Sequence, residues 1–175
     1  MAALVGVVFI ALFVVWERHR ARVQRDAILD LSLFTFPTFT WGNLTALTVA
    51  AGEFALVFVM PLFLVNALGL SIMGAGWVLA AMAGGAFLAG ASARHVAERL
   101  SATMVVLIGL ILELVGVLST ALVLGRGTSS WLIAATLTAY GVGLGLASAQ
   151  LTSTVLGDIP ADRSGSASAT QSTVR

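Results

Sequence analysis

Cysteine is absent from this 175-residue chain, so neither a disulfide framework nor thiolate chemistry is open to it. Lysine is absent too, which leaves arginine and two histidines as the basic side chains. Charge of either sign is scarce: 10% of residues are charged, against roughly 25% in an average soluble domain. The constellations that carry catalysis are missing as well. His19 and His95 stand far apart without metal-ligand partners, and no Ser/His/Asp set, phosphate-binding loop or zinc spacing occurs. The reading is a non-enzyme with no metal site. A formal net charge of +1 gives no reason to expect a nucleic-acid partner. Nor does any apolar stretch show the period-two alternation of a membrane β-barrel strand.

What is present is apolar sequence in long runs. Hydrophobic residues make up 59% of the chain, and mean hydropathy is +1.02. The runs cover 2–15, 39–66, 72–92, 103–124 and 129–156, and most reach the ~20 residues needed to cross ~30 Å of hydrocarbon. Backbone groups in lipid must be satisfied within the segment, so the runs are predicted to be helices. The arginines sort between them. Arg18, Arg20, Arg22 and Arg25 fill the first gap, Arg94 and Arg99 the third, and Arg163 and Arg175 the C-terminal segment. The second gap, Asn66 to Ser71, carries no charge, and the fourth only Arg126. Arginine-rich loops stay in the cytoplasm, which places gaps one and three and the tail inside. Trp16, Trp41 and Trp131 fall at span ends, where aromatic belts form.

The ends read differently from the middle. The first run has no basic residue before it and four arginines after it, the reverse of a secretory signal peptide. With only about 15 apolar residues it is short for a span, and it is expected to be a cut helix at 1–16. A cytoplasmic linker follows at 17–38, with mixed charge over Glu17–Asp30 and a Leu- and Phe-rich interfacial part over Leu31–Phe39. Residues 39–156 form a four-helix transmembrane part. Gly157, Asp158 and Pro160 then punctuate a cytoplasmic loop and the start of a further, truncated helix over 157–175. The expectation is a piece of a larger multi-span protein.

Small residues mark helix contacts. Gly76, Ala80 and Gly84 repeat at i+4, with Ala81, Gly85 and Ala89 beside them, and Gly141 and Gly145 form a GxxxG step near Gly143 and Ala147. Such spacing lets helix backbones approach in lipid, and tight packing is expected here rather than a hinge. Two acids interrupt the runs: Glu53 near the middle of the second span and Glu113 near the middle of the fourth. A carboxylate at mid-membrane costs on the order of 3 kcal/mol, so each should face protein or water. Either could exchange a proton, as coupled transport needs, or be a hydrogen-bonded structural acid. Glu53 is the stronger candidate. Glu113 shares a face with Gly109 and Gly116, which points to a helix contact rather than a cavity wall. Asn43 is one of several milder polar groups that could line a solute path, and Tyr140 and Gln150 are the better suited, since Ser and Thr in membrane helices usually bond their own backbone.

Several stretches resemble the major facilitator superfamily, in its drug:proton antiporter branch with fourteen spans. They are Asp30-Leu31-Ser32-Leu33-Phe34, Gly52-Glu53-Phe54 with Met60-Pro61-Leu62-Phe63-Leu64, and Tyr140-Gly141-Val142-Gly143-Leu144-Gly145-Leu146. The tail, from Asp158-Ile159-Pro160 through Arg163-Ser164-Gly165 to Thr170-Gln171-Ser172-Thr173-Val174-Arg175, is similar to the approach to that family's thirteenth span. On this resemblance the five runs correspond to spans eight to twelve. The superfamily's cytoplasmic loop pattern, Gly-x-Leu-Ala-Asp-Arg-x-Gly-Arg-Arg, is degenerate here. Glu98 and Arg99 match its acid and base, Arg94 replaces the first Gly and Ser101 the second, and Ala102-Thr103 the Arg pair.

The resemblance implies an all-α polytopic transmembrane helix bundle, a partial major facilitator fold of about five spans. It implies part of a proton-coupled secondary transporter, of the multidrug efflux antiporter type, exporting small amphipathic compounds. Glu53 and Glu113 would couple the proton, and Asn43, Tyr140 and Gln150 would line the substrate cavity. Glu98 and Arg99 would tether helix ends in a cytoplasmic loop. The proton gradient supplies the driving force without a cofactor. The partners would be the lipid bilayer of the cell membrane, a small-molecule substrate and the missing N-terminal half of the same transporter. The alternative is a non-transporting membrane subunit that assembles with partner helices. The arginine sorting makes a prediction: reporters fused after Gln24 or Ala97 will read as cytoplasmic, and those after Gly69 or Gly127 as outside. A cytoplasmic signal at Gly69 would overturn the span assignment.

Overall fold

The computed structural model describes residues 31–125 and 127–174, together with Gly6, Val8, Phe9, Leu12, Phe13, Val15 and Trp16, which are helical. Most of the first apolar run, and the linker expected over Glu17–Asp30, lie outside the described residues. The described part is all helix. A 3-10 turn at Leu31–Thr35 leads into α1 (Pro37–Asn66), α2 (Ile72–Leu100), α3 (Ala102–Val123) and α4 (Ser130–Leu156), and a second turn at Ala161–Arg163 leads into α5 (Ser164–Val174). Helices α1 to α4 are each long and apolar enough to cross a membrane. The fold class is thus the expected helix bundle.

Helix boundaries follow local chemistry. Proline at the first position of α1 has no amide to leave unpaired, and its fixed φ suits a helix start. This start lies inside the stretch read as linker. At the far end, Asn66 donates its side-chain amide to the Leu62 carbonyl at 2.9 Å, and Gly69 turns the chain at φ 67°. Ser71 caps α2 by accepting from the Gly74 amide at 3.1 Å. The charged stretch after the third run is not a loop. Helix α2 continues through Arg94, His95, Glu98 and Arg99 to Leu100, and Ser101 alone joins it to α3. Arg94 and Glu98 sit one turn apart and approach at 3.8 Å with both side chains exposed, an i,i+4 pair that supports the helical continuation.

Ser101 closes one helix and opens the next. Its amide donates to the Ala97 carbonyl at 3.0 Å, and its hydroxyl accepts from Met104 N at 3.5 Å. The backbone there has φ 76° and ψ 152°, a region open almost to glycine alone.

The chain divides into two compact units, one of Leu44–Thr154 and one of Met1–Asn43 with Val155–Arg175. In the first unit α4 is the most enclosed helix. Its glycines explain why. A Cβ on Gly143 would stand 2.5 Å from the Glu113 amide nitrogen and from the Gly109 carbonyl of α3. One on Gly109 would stand 2.6 Å from the Ala147 amide, and one on Gly116 2.6 Å from the Tyr140 amide. On another face, Gly141 and Gly145 lie against the α2 backbone at Met82 and Ala86. The stretch Gly141–Gly145 is therefore a packing surface for two neighbours at once. Where the backbones meet, Thr120 donates to Thr136 at 2.9 Å.

An apolar cluster forms where Met60 and Leu64 of α1 meet Val78 and Met82 of α2 and Ile133 and Leu137 of α4. A smaller one joins Ala89, Ala93, Val105 and Leu146. Elsewhere the unit turns large apolar side chains outward, among them Phe54, Phe58, Phe87 and Leu122. That surface suits lipid, not water.

One packing expectation is corrected. Gly76 and Gly84 face open space, and Ala80 is exposed with them. The face of α2 that packs is Ala75, Val78, Met82, Gly85, Ala89 and Ala93, set one residue over from the glycine repeat. Larger neighbours fit there because α4 supplies the glycines.

Two predictions follow from this geometry. Gly143→Val forces a side chain into the α3 backbone and should destabilise the chain by about 3 kcal/mol, whereas Gly76→Val should change stability by under ~1 kcal/mol. Thermal unfolding in detergent checks both, and equal effects would refute the assignment of faces. Ser101→Gly should stabilise by about 1 kcal/mol, because relief of the backbone conformation outweighs a long cap bond. Ser101→Ala, which loses the cap and keeps the conformation, should destabilise.

Candidate functional site

Two open grooves compete by size. The larger, about 640 Å³, runs between α2 and α4 along Gly84, Leu88, Val96, Val142 and Leu146. Its hydroxyls are already committed: Ser92 donates to the Ala89 carbonyl and Thr138 to the Ala134 carbonyl. It holds no charge and offers no chemistry. The other, about 560 Å³, lies between α1, α3 and the middle of α4. Its walls are aliphatic, from Val49, Ala55, Leu56, Val59, Leu110, Leu114 and Val117, and its polar groups are Thr48, Glu113 and Tyr140.

Glu113 is the chemical centre of this groove. Helical spacing places it between Gly109 and Gly116, the two residues that let α3 touch α4. It is therefore held at the helix contact, 8% exposed, and also lines the groove wall. The sequence pointed to the contact rather than the cavity, and the structure gives both. Its Oε1 is buried with no hydrogen-bond partner. Buried polar atoms are nearly always bonded, so an orphaned carboxyl oxygen marks a position completed by something else.

Tyr140, expected in the solute path, lines the groove and is 3% exposed. Its position is set by Gly116, against whose surface its own backbone lies. Glu53 is half-buried on α1. It is not a groove-lining residue. One acid and one phenol, from different helices, thus line one apolar space. Thr48 adds a hydroxyl that donates to the Leu44 carbonyl at 2.9 Å.

The other expected cavity residues are not among those lining this groove. Gln150 is ten residues beyond Tyr140, about 15 Å along the helix, and its side-chain oxygen accepts from Ser153 at 3.2 Å. Asn43 is 3% exposed and belongs to the other compact unit. Its side-chain amide donates to the Phe39 carbonyl at 2.8 Å. Glu98 and Arg99, expected in a loop, are on the last turns of α2. Glu98 approaches Arg94 there, an exposed pair worth under ~1 kcal/mol. The aliphatic walls carried no sequence signal, because one leucine in a membrane helix resembles the next. Among the described residues no group of three or more His, Asp or Glu side chains could hold a metal ion.

Comparison with known proteins agrees with this architecture. A family model described as Major Facilitator Superfamily matches residues 1–175. An uncharacterized MFS-type transporter of Bacillus subtilis (strain 168), YvkA, is 36% identical over 72 residues. The matched stretch covers 41% of this chain and 16% of that relative. No solved structure matches. Over its whole length, this chain belongs to the major facilitator superfamily.

Proposed function

We propose that this chain supplies part of a proton-coupled secondary transporter that exports small amphipathic compounds across the cell membrane. The observation that carries the reading is Glu113, a buried acid with an unpartnered Oε1, which lines an apolar groove of about 560 Å³. That volume lies in the range of small-molecule sites, and the mixture of aliphatic wall with a few polar groups is their usual chemistry. An ionised carboxylate left without a partner in so dry a place is costly. A proton covers the oxygen in one state and a polar or cationic group of the solute in another. Competition between the two is the coupling.

Glu113 is the exchanging acid in this scheme and Glu53 its modulator. Glu53, half-buried on α1, places a second acid in the same compact unit. Tyr140 contributes a hydroxyl and an aromatic face beside the acid. Membership of a transporter family supports the reading. Alternating access needs a second half-bundle rocking against this one, and the N-terminal half of the same transporter would close the open side of the groove.

The test is solute-driven proton flux in vesicles holding the transporter that carries this chain, normalised to protein level. Glutamine keeps the size and hydrogen bonding of glutamate but cannot exchange a proton. Glu113→Gln should lower flux at least tenfold, and Glu53→Gln severalfold, with expression near wild type. Wild-type flux from Glu113→Gln would return that residue to a packing role. Full loss from Glu53→Gln alone would make Glu53 the coupling acid.

A further inference from the structure

The groove of about 640 Å³ between α2 and α4 runs toward two basic side chains at one end. Its α2 wall extends from Ala81 to Val96. With 3.6 residues per turn, Arg99 stands five turns beyond Ala81, and His95 about two turns beyond Leu88, so both lie on the groove's face of the helix. Both are exposed, and among the described residues Arg99 makes no ion pair. Negative charge is turned away from this face. Glu98 is the one acid of α2 and α4 carries no charged residue. Helical spacing rotates Glu98 by about 100° from Arg99, and it approaches Arg94 instead.

The groove itself asks for an apolar occupant, since its hydroxyls are bonded within their own helices. Its depth comes from glycine. A Cβ on Gly84 would meet no neighbouring group within 4 Å, whereas one on Gly85 would stand 2.8 Å from the Thr138 carbonyl oxygen. Gly85 is thus needed for the contact with α4 and Gly84 is not. A mid-helix glycine is less stable than alanine there, and at Gly84 its effect is to widen the recess. From Ala81 to Val96 the wall is about 22 Å long, more than the ~15 Å of hydrocarbon in one leaflet. An acyl chain laid along it therefore brings its headgroup to the helix end that bears Arg99, the end that arginine sorting assigns to the cytoplasm.

We propose that the α2–α4 groove binds one anionic phospholipid of the cytoplasmic leaflet, with an acyl chain along Gly84 and Leu88 and the phosphate at Arg99 and His95. Arginine presents forked donors that match phosphate oxygens, and basic residues beside a cleft between membrane helices select anionic headgroups. Charge decides between occupants. Another helix of the transporter would cover the apolar wall but leave both basic groups without a counter-charge, and a choline headgroup would bring a further cation to them. The site is distinct from the groove that holds Glu113, and it does not rest on the transport reading.

Leu88, 70% exposed on the groove, is the position for a probe. The full transporter that carries this chain, with p-benzoylphenylalanine in place of Leu88, is put into vesicles of equal parts phosphatidylglycerol and phosphatidylcholine. After irradiation the adducts are identified by mass. Phosphatidylglycerol adducts should exceed phosphatidylcholine adducts by about fivefold or more. Arg99→Gln with His95→Gln should bring the ratio to about one. Gly84→Leu fills the recess without meeting backbone, and should cut the phosphatidylglycerol adduct by about threefold or more with thermal stability near that of the parent. Equal adducts in the parent would mean ordinary annular lipid and overturn the site. So would a ratio unmoved by the double substitution, or a cross-link to another helix of the protein. Should the double variant fail to fold, Gly84→Leu decides alone: an unchanged phosphatidylglycerol adduct refutes the proposal, and its loss supports it.

Discussion

The close approach of α4 to two other helices is the constraint on which the rest of the structure depends. Lipid gives helices no hydrophobic reason to associate, so contact must come from dispersion between surfaces that fit. Glycine supplies that fit by removing the side chain altogether. Gly143 and Gly109 bring α3 and α4 backbone to backbone, and Gly141 and Gly145 do the same for α2. Even one methyl group at those positions would meet main-chain atoms, which cannot rotate away as a side-chain tip could.

The same contact creates the chemistry. With α3 pressed on α4 at Gly109 and Gly116, the residue between them on that face has little room. That residue is Glu113. An acid at the rim of a helix contact can be held in one position by packing while its side chain still lines the groove. Tyr140 follows from the identical contact, since its backbone lies on Gly116. Packing and site are therefore one feature seen from two sides.

How much of this was legible in the residues depended on whether a signal was local. Four spans could be read within a few positions because apolar runs and turn residues are local. The extension of α2 to Leu100 was hidden by charge: arginine, histidine and glutamate read as a loop, although at a membrane surface they can equally cover the last turns of a helix. The small-residue stripe on α2 was read one residue off, since both candidate faces carry glycine and alanine and only the partner helix distinguishes them. Glu113 was visible as a costly acid, but its place in a groove depends on α1, whose register against α3 no local pattern encodes. Asn43 and Gln150 do not line the groove that holds Glu113 and Tyr140. Nothing in a single helix sets which level of a bundle is open.

The one-residue joint at Ser101 has a mechanical consequence. Two long helices that share a single cap residue have no slack between them, so α2 and α3 behave as the arms of a stiff hairpin. Both arms bear on α4, one through Met82 and Ala86 and the other through Gly109 and Glu113. A helix gripped from two sides by one rigid clip cannot splay from either arm without bending the clip.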